Sequence, residues 1–74
     1  MRTHRLMRER AIMERVSGGD DAIEEIVAAL YAGLDQRLHK AAGLSVLAHL
    51  EKLEDDGRVV SSGFGLASRW RVAG

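Results

Sequence analysis

Cysteine is absent from this 74-residue sequence, which therefore has neither disulfide bonds nor thiolate chemistry. An excess of either charge is also absent. The 11 lysines and arginines balance 11 aspartates and glutamates, so no overall field attracts nucleic acid or an anionic membrane. The longest apolar run, residues 26–34, is much shorter than the roughly 20 residues that a membrane-spanning helix needs. Together these absences predict a cytoplasmic protein without a membrane segment.

The length of the chain predicts one small domain over residues 1–74, with a single core and modest stability. Charge is unevenly distributed, since the first segment is basic and the second is acidic. An arginine-rich start can be a feature of an organelle transit peptide. Here that start also carries Glu9 and Glu14 and supplies a helix that a three-helix domain needs, so we favour a structural role.

Two amphipathic helices are predicted in the first half of the chain. Thr3 is placed to cap the first helix, and the Ser-Gly-Gly motif at residues 17–19 ends it. The expected apolar side of this helix consists of Leu6, Met7, Ile12, Met13 and Val16. Asp21 and Glu24 have the spacing of a capping box at the start of the second helix, which Gly33 ends. The core side of the second helix is expected to consist of Ile23, Ile26, Val27, Leu30 and Tyr31.

A long third helix followed by a β-hairpin is predicted in the second half. The expected core side of the helix consists of Leu38, Ala42, Val46, Leu47, Leu50 and Leu53. Gly43 interrupts this pattern at a cost of about 1 kcal/mol relative to alanine, and we favour one continuous helix over one that bends there. Gly57 stands where a left-handed residue would end the helix. Two β-prone runs, 58–60 and 69–72, flank a loop predicted at 61–65. Three helices followed by a two-stranded hairpin form a winged helix, a mainly helical α+β fold.

A series of motifs extends from the start of the chain to Trp70. It comprises His4-Arg5, Arg8-Glu9, Ile12, Ile26-Val27, Leu30-Tyr31, Leu38-His39, Ala42, His49-Leu50, Lys52-Leu53 and Gly57-Arg58. This series resembles the C-terminal winged-helix domain of metallo-β-lactamase-fold hydrolases of the β-lactamase-like type. The most specific parts are His-Arg-x-x-Arg-Glu and Ala-x-x-x-Val-x-Ala-His-Leu, whereas Leu-x-x-Leu-x-x-x-Gly-Arg is common to winged helices in general.

The resemblance implies that the chain is the C-terminal part of a longer hydrolase. The preceding domain in such proteins binds two metal ions, usually zinc, through a His-x-His-x-Asp-His loop. That loop does not occur here, because His4, His39 and His49 are isolated in the sequence. We therefore expect no catalytic residue, metal site or cofactor in this chain. We expect an accessory domain that packs on the catalytic domain of the same polypeptide. One expected position for this contact is the border of the substrate entrance of the catalytic domain. The substrate is not implied, because relatives hydrolyse thioesters, lactams and phosphodiesters.

The candidates for contact with the catalytic domain are His4, Arg5, Arg8, His49 and Phe64. Arg5 and Arg8 lie on one face of the first helix, where they can pair with acidic residues of a neighbouring domain. His39 and His49 are nearly three turns apart, about 15 Å along the axis, and cannot share a metal ion. Either can contribute to the catalytic cleft, but surface packing or a hydrogen-bonded core position is the simpler interpretation. Phe64, at a glycine-flanked tip, indicates contact with the catalytic domain or a second chain.

The alternative function is that of a free-standing winged-helix DNA-binding protein or transcriptional regulator. Its candidate phosphate contacts are Arg37, Lys40, Arg58, Arg69 and Arg71. Base readout by the third helix needs basic and amide side chains, yet Glu51 and Asp55 offset the basic ones, and the chain has no Asn and a single Gln. In the last strand, alternation places Arg69 and Arg71 on one face and Trp70 on the other, where Trp70 closes the core. Nucleic acid is a candidate partner, but not the favoured one.

Overall fold

The computed structural model describes the backbone of residues 2–73 and the side chains of residues 6–73. The helices are α1 (Arg2–Ser17), α2 (Ile23–Leu30) and α3 (His39–Asp55), and the strands are β1 (Val59–Ser62) and β2 (Arg69–Val72). Short 3₁₀ turns lie at Gln36–Leu38 and Gly65–Ala67. This order confirms the predicted winged helix, with three helices followed by an antiparallel two-stranded wing.

The core lies between the three helices and the hairpin. Its buried apolar side chains are Ile12, Val16, Ile23, Ile26, Val27, Ala42, Val46, Leu50, Leu53, Val59 and Trp70. The prediction that Leu6, Met7 and Leu38 face the core is wrong, because they are 63%, 63% and 52% exposed. Leu6 and Met7 lie about 120° and 140° around the helix axis from Ile12, so they point away from the buried side. Leu38 belongs to the 3₁₀ turn that precedes α3, so the α-helical spacing of α3 does not extend back to it.

The C-terminal ends of α1 and α3 have the same geometry. Gly19 and Gly57 follow the two helices in the left-handed region, with φ of 109° and 77°. The backbone N–H of the residue after each glycine donates to the carbonyl oxygen of the residue five positions earlier in the chain. The N···O distance is 3.0 Å for Asp20 and 2.9 Å for Arg58. This is the Schellman arrangement, which satisfies carbonyls at a helix end and favours glycine at the left-handed position. The predicted ends of both helices are therefore confirmed.

Other helix boundaries differ from the prediction. α1 begins at Arg2, so Thr3 lies inside the helix and not at its cap. α2 ends at Leu30, and Gly33, with φ of 84°, belongs to the turn that follows. Both differences arise at helix ends, where the local sequence specifies the boundary less strongly than tertiary packing does.

The predicted capping box of Asp21 and Glu24 is also displaced. The cap position of α2 is Ala22, whose N–H donates to the Glu25 carboxylate at 3.3 Å. Alanine has no side-chain oxygen to offer in return, so only the glutamate half of the box forms. Asp21 lies outside the helix because its carbonyl accepts the Trp70 N–H at 2.8 Å, which joins the start of α2 to β2.

α3 is continuous through Gly43, as predicted. A Cβ atom at this buried glycine would lie 3.2 Å from Leu66 Cδ2 and 3.6 Å from Ile23 Cγ2. The missing side chain therefore permits the wing and α2 to approach α3 closely. This close approach explains why a glycine is accommodated within a long helix despite its low helix propensity.

The wing is longer than predicted on its first strand. The register pairs Val59 with Val72, Val60 with Arg71, Ser61 with Trp70, and Ser62 with Arg69. Ser61 and Ser62 were expected in the loop, but they extend β1 because both have partners on β2. The Ser61 hydroxyl also donates to the Glu54 carboxylate at 2.7 Å, which ties β1 to the end of α3. On the edge of β2 away from β1, an isolated β-bridge pairs Arg69 with Ala22.

Candidate functional site

The wing loop, defined here as residues 63–68, presents the most exposed aromatic side chain among the described residues. Phe64 is 93% exposed, and its own backbone is extended, with φ −137° and ψ 149°. The glycines on either side have φ of 83° at Gly63 and 57° at Gly65, a region that L side chains rarely adopt. The glycines therefore make the sharp changes of direction, and the loop holds the phenyl ring out in solvent.

A buried serine fastens the wing loop to the core. Ser68 Oγ donates to the Gly65 carbonyl at 2.6 Å and accepts the Trp70 Nε1–H at 2.8 Å. Ser68 and Trp70 are both 3% exposed, so water cannot replace these bonds readily. Sequence reasoning missed Ser68, because nothing local distinguishes a serine in a loop from one that joins a loop to a buried tryptophan.

Beside the wing loop lies an open groove, named here the α2–α3 groove. It has a volume of about 490 Å³ and runs between α2, the start of α3 and Leu66. Its lining residues are Ile23, Glu24, Val27, Ala28, Gln36, His39, Lys40, Gly43 and Leu66. Its lining includes the buried residues Ile23, Val27 and Gly43, and it also includes two residues of opposite charge, Glu24 on α2 and Lys40 on α3. Neither makes an ion pair with another residue that the structure describes.

A second groove, named here the α1 groove, lies on the exposed side of α1. It has a volume of about 510 Å³ and is lined by Leu6, Glu9, Arg10, Met13, Glu14, Ser17 and Arg58. Leu6 and Met13, about two turns apart on the helix, form its apolar part. Charged residues of both signs surround this part, a composition suited to contact with another protein surface.

Among the described residues, the candidates for interdomain contact lie on three different elements. The Arg8 guanidinium carbon lies 4.5 Å from the centre of the Tyr31 ring, so this cation packs within the chain. His49 is half-buried on α3, one turn before Lys52, whose ammonium lies 3.0 Å from the Glu9 carboxylate of α1. Phe64 lies in the wing loop. The side chains of His4 and Arg5 lie outside the described residues.

His39 has a polar partner on its own chain. Its Nε2 lies 3.1 Å from the Leu34 carbonyl oxygen, to which a protonated ring nitrogen donates. This contact fits the interpretation of a surface histidine with a satisfied hydrogen bond. Among the described residues, no group of three or more His, Cys, Asp or Glu side chains is placed to hold a metal ion. Within the same residues, no helix has the length and apolar character to cross a membrane.

Two of the five candidate phosphate contacts are paired with carboxylates. Arg37 bonds Asp35 through its Nη2 at 3.2 Å and through its backbone N–H at 2.8 Å, and these bonds lower the pKa of the Asp35 carboxyl. Arg69 bonds Asp21 at 3.0 Å. For Lys40, Arg58 and Arg71, the structure gives no ion pair with another described residue. They are dispersed between the α2–α3 groove, the α1 groove and the outer face of β2.

The outer face of α3 is not strongly basic. Its exposed residues at helical spacing are Lys40, Leu44, Ala48, Glu51 and Asp55. In β2, Trp70 is buried while Arg69 and Arg71 are exposed, which confirms the predicted alternation and the role of Trp70 in the core. The two elements that a winged helix would bring to DNA therefore offer few unpaired cations for phosphate contact.

Comparison with protein families gives a match, and comparison with curated proteins and with solved structures gives none. The family is described as the beta-lactamase associated winged helix domain, and the match covers residues 22–70, from the cap of α2 to Trp70. α1 lies outside this range, although its Ile12 and Val16 are part of the same core. Because the match spans more than half of the chain and the observed fold agrees with it, this chain belongs to the family of beta-lactamase associated winged-helix domains.

Proposed function

We propose that this chain is the interaction domain of a metallo-β-lactamase-fold hydrolase and packs on the catalytic domain of the same polypeptide. Membership of a family associated with β-lactamase supports this function. A small winged-helix domain is not itself catalytic, so in this proposal the hydrolysis and the zinc ions belong to the catalytic domain. The protein is proposed to work in the cytoplasm.

The observation that carries the proposal is the exposed apolar surface of α1. Leu6 and Met7 are each 63% exposed, and Leu6 lies in the α1 groove with Met13. Helix surfaces of this kind usually cover another protein surface. The charged rim of the groove, with Arg10 and Glu14, fits the partly polar character of contacts between domains of one chain.

We further propose that the predicted contact residues border the α1 groove. His4 and Arg5 belong to the same helix as the groove, and His49 lies near the contact of α3 with α1. In the proposal these residues border the interface, and Arg8 stiffens α1 by its contact with Tyr31. An interface on α1 leaves the wing free, so the border of the substrate entrance is proposed to lie along α1.

The test begins with the coding sequence upstream of Met1. A β-lactamase-fold domain with a His-x-His-x-Asp-His loop is expected in the same reading frame. The two-domain protein is then compared with the 74-residue chain by amide hydrogen exchange, and we expect exchange along α1 to slow when the catalytic domain is present. An in-frame stop codon with no such domain, or equal exchange in the two proteins, would contradict the proposal.

A matched pair of substitutions locates the contact. Leu6→Lys places a charge in the α1 groove, whereas Leu44→Lys places one on the outer face of α3, where the leucine is 51% exposed. We expect Leu6→Lys to restore fast exchange along α1 in the two-domain protein and Leu44→Lys to leave it slow. If Leu44→Lys restores fast exchange and Leu6→Lys does not, the interface lies on α3 and not on α1.

DNA binding receives less support as a second function, because the unpaired cations are dispersed and α3 carries carboxylates on its outer face. It is tested by titrating the chain into duplex DNA at two salt concentrations. Binding that weakens steeply with salt would favour the regulator and contradict the interaction domain.

A further inference from the structure

The outer face of α3 carries an exposed apolar strip, named here the α3 strip. Leu44 lies at its centre and is 51% exposed, with exposed alanines one turn before it at Ala41 and one turn after it at Ala48. At 100° per residue, Leu44 and Ala48 lie about 40° apart around the helix axis, so both point away from the core. A helix face of this kind is suited to packing on another helix.

Two opposite charges flank the α3 strip on one side. Lys40 and Glu51 are 11 residues apart in the sequence, which places them about 20° from each other around the axis. Both are exposed, and neither makes an ion pair with another described residue. They lie roughly 16 Å apart along the axis, so they cannot pair with each other within one chain.

An antiparallel pair of α3 helices makes this face complementary to itself. A two-fold axis perpendicular to α3 at the level of Val46 places Leu44 of one copy opposite Ala48 of the other, so a large side chain faces a small one. The same axis brings together the same flank of the two helices. Lys40 of each copy then lies at the level of Glu51 of the other, within about 1.5 Å along the axis. Both charge pairs therefore form at once.

We propose that the chain self-associates as an antiparallel two-fold dimer through the outer face of α3. This inference goes beyond the proposed function and does not depend on it, because it uses α3 and not α1. Charge complementarity favours a second copy over nucleic acid, since Glu51 and Asp55 on this face repel phosphates. The formal net charge of the chain is zero at pH 7, so two copies do not repel each other strongly.

The face is short, so we expect a weak dimer with a dissociation constant of roughly 0.1 to 1 mM. Sedimentation equilibrium of the purified 74-residue chain, up to about 2 mM, measures this constant directly. Leu44→Ala is expected to raise the constant about tenfold, because each copy loses its central anchoring side chain. Val72→Ala, which truncates an apolar residue that is 41% exposed on β2, is the matched control and should leave the constant unchanged.

Reversal of the flanking charges tests the antiparallel geometry. Lys40→Glu and Glu51→Lys should each weaken self-association about threefold to tenfold, because each change places like charges opposite one another. An equimolar mixture of the two variants should instead form a heterodimer at least as tight as the native dimer. In that heterodimer both contacts are again between opposite charges.

The mixture needs a control for overall charge, because its two components have opposite net charges. Arg71→Glu and Glu24→Lys change the net charge by the same amounts, but at exposed positions of β2 and α2, away from the α3 strip. Neither of these variants should weaken self-association, and their mixture should associate like the native chain. A loss equal to that of Lys40→Glu and Glu51→Lys would mean that overall charge, and not the α3 contact, determines association.

Nuclear Overhauser effects between the Leu44 methyl groups of one copy and the Ala48 methyl group of the other are expected as direct evidence of the contact. The same two residues are one turn apart within a chain, so the spectrum is recorded on a mixture of labelled and unlabelled chains and filtered for intermolecular effects.

Three further outcomes would overturn the proposal. The first is a chain that stays monomeric throughout the concentration range, as it would if only the catalytic domain covered this face of α3. The second is a dimer that Leu44→Ala and Val72→Ala affect equally. The third is a mixture of Lys40→Glu and Glu51→Lys that associates as weakly as either variant alone. Circular dichroism of each variant confirms that the helical fold is retained, so loss of association is not mistaken for unfolding.

Discussion

The helices α1 and α3 are nearly equal in length, with 16 and 17 residues, but the core holds them very differently. α3 contributes five buried residues, spread over most of its length, namely Ala42, Gly43, Val46, Leu50 and Leu53. Within the described part of α1, the buried residues are Ile12 and Val16, both in its second half. Similar helices therefore have different parts in the fold, since α3 organises the core and α1 covers one side of it.

The first half of α1 is attached through surface contacts instead. Arg8 packs on Tyr31, and Glu9 accepts a hydrogen bond from Lys52 at 3.0 Å. Exposed contacts of these kinds stabilise a fold much less than burial of a leucine or isoleucine does, because solvent screens the charges. The half of α1 that carries the exposed apolar residues is therefore also the half that the core holds least firmly.

The largest effect is expected from truncation in α3. Leu50→Ala removes a side chain that is 0% exposed, and we expect a loss of about 2 to 5 kcal/mol in the free energy of unfolding. In a domain of this size, such a loss leaves much of the protein unfolded. Urea denaturation followed by Trp70 fluorescence measures it.

Leu6→Ala is the matched control in α1, because the same change is made where the side chain is 63% exposed. Its expected effect on the isolated chain is within about 0.5 kcal/mol. Comparable losses for the two variants would show that the first half of α1 is held as firmly as α3, which would remove the contrast between the helices.

The next effect is expected in the wing. Ser68→Ala leaves the Trp70 Nε1–H without its acceptor and the Gly65 carbonyl without the hydroxyl donor. The expected loss is about 1 to 3 kcal/mol, the cost of unsatisfied buried polar groups. Ser62→Ala, at an exposed position on β1, is the control and should cost almost nothing. Equal losses in urea denaturation would mean that the buried bonds do not stabilise the wing.

A smaller effect is expected from the aromatic contact of α1. Arg8→Ala removes the cation that lies 4.5 Å from the Tyr31 ring centre, with an expected loss of about 0.5 to 1 kcal/mol. Amide hydrogen exchange should rise in the first half of α1 and stay unchanged in α3. Arg10→Ala, at an exposed position of the same helix, is the control. If exchange rises equally in both variants, Arg8 has no special role in holding α1.

The parts of the fold that the sequence predicts are those with local chemical causes. Gly57 ends α3 because the left-handed conformation it needs is a property of glycine itself. The helical spacing of Val46, Leu50 and Leu53 likewise identifies their shared face without knowledge of the rest of the fold. The alternation around Trp70 predicts which side of β2 faces the core in the same way.

The parts that were missed depend on contacts between distant residues. Leu6 and Met7 are as apolar as Ile12, and only the packing of the other helices decides which side of α1 is covered. The hydroxyl of Ser68 acquires its role because the hairpin brings it to the Trp70 ring nitrogen and the Gly65 carbonyl. The two grooves arise in the same way, from the packing of elements. A list of candidate residues such as Arg8 and Phe64 could not reveal that Arg8 packs on Tyr31 while Phe64 lies in the wing loop.

The smallest expected effect concerns the charged contact between α1 and α3. The hydrogen bond and charge of Glu9 raise the pKa of Lys52 above its ordinary value of 10.5. A raised pKa in the folded state stabilises the fold fully below the unfolded value, and this contribution is lost as the pH rises through the folded value. The difference in free energy of unfolding between the native chain and Glu9→Gln should therefore be constant near neutral pH and shrink above about pH 10.5. Using a difference cancels the titration of the groups that both proteins share. A difference that stays constant through the alkaline range would show that the contact does not hold α1 to α3, and the first half of α1 would then depend on Arg8 and its apolar neighbours alone.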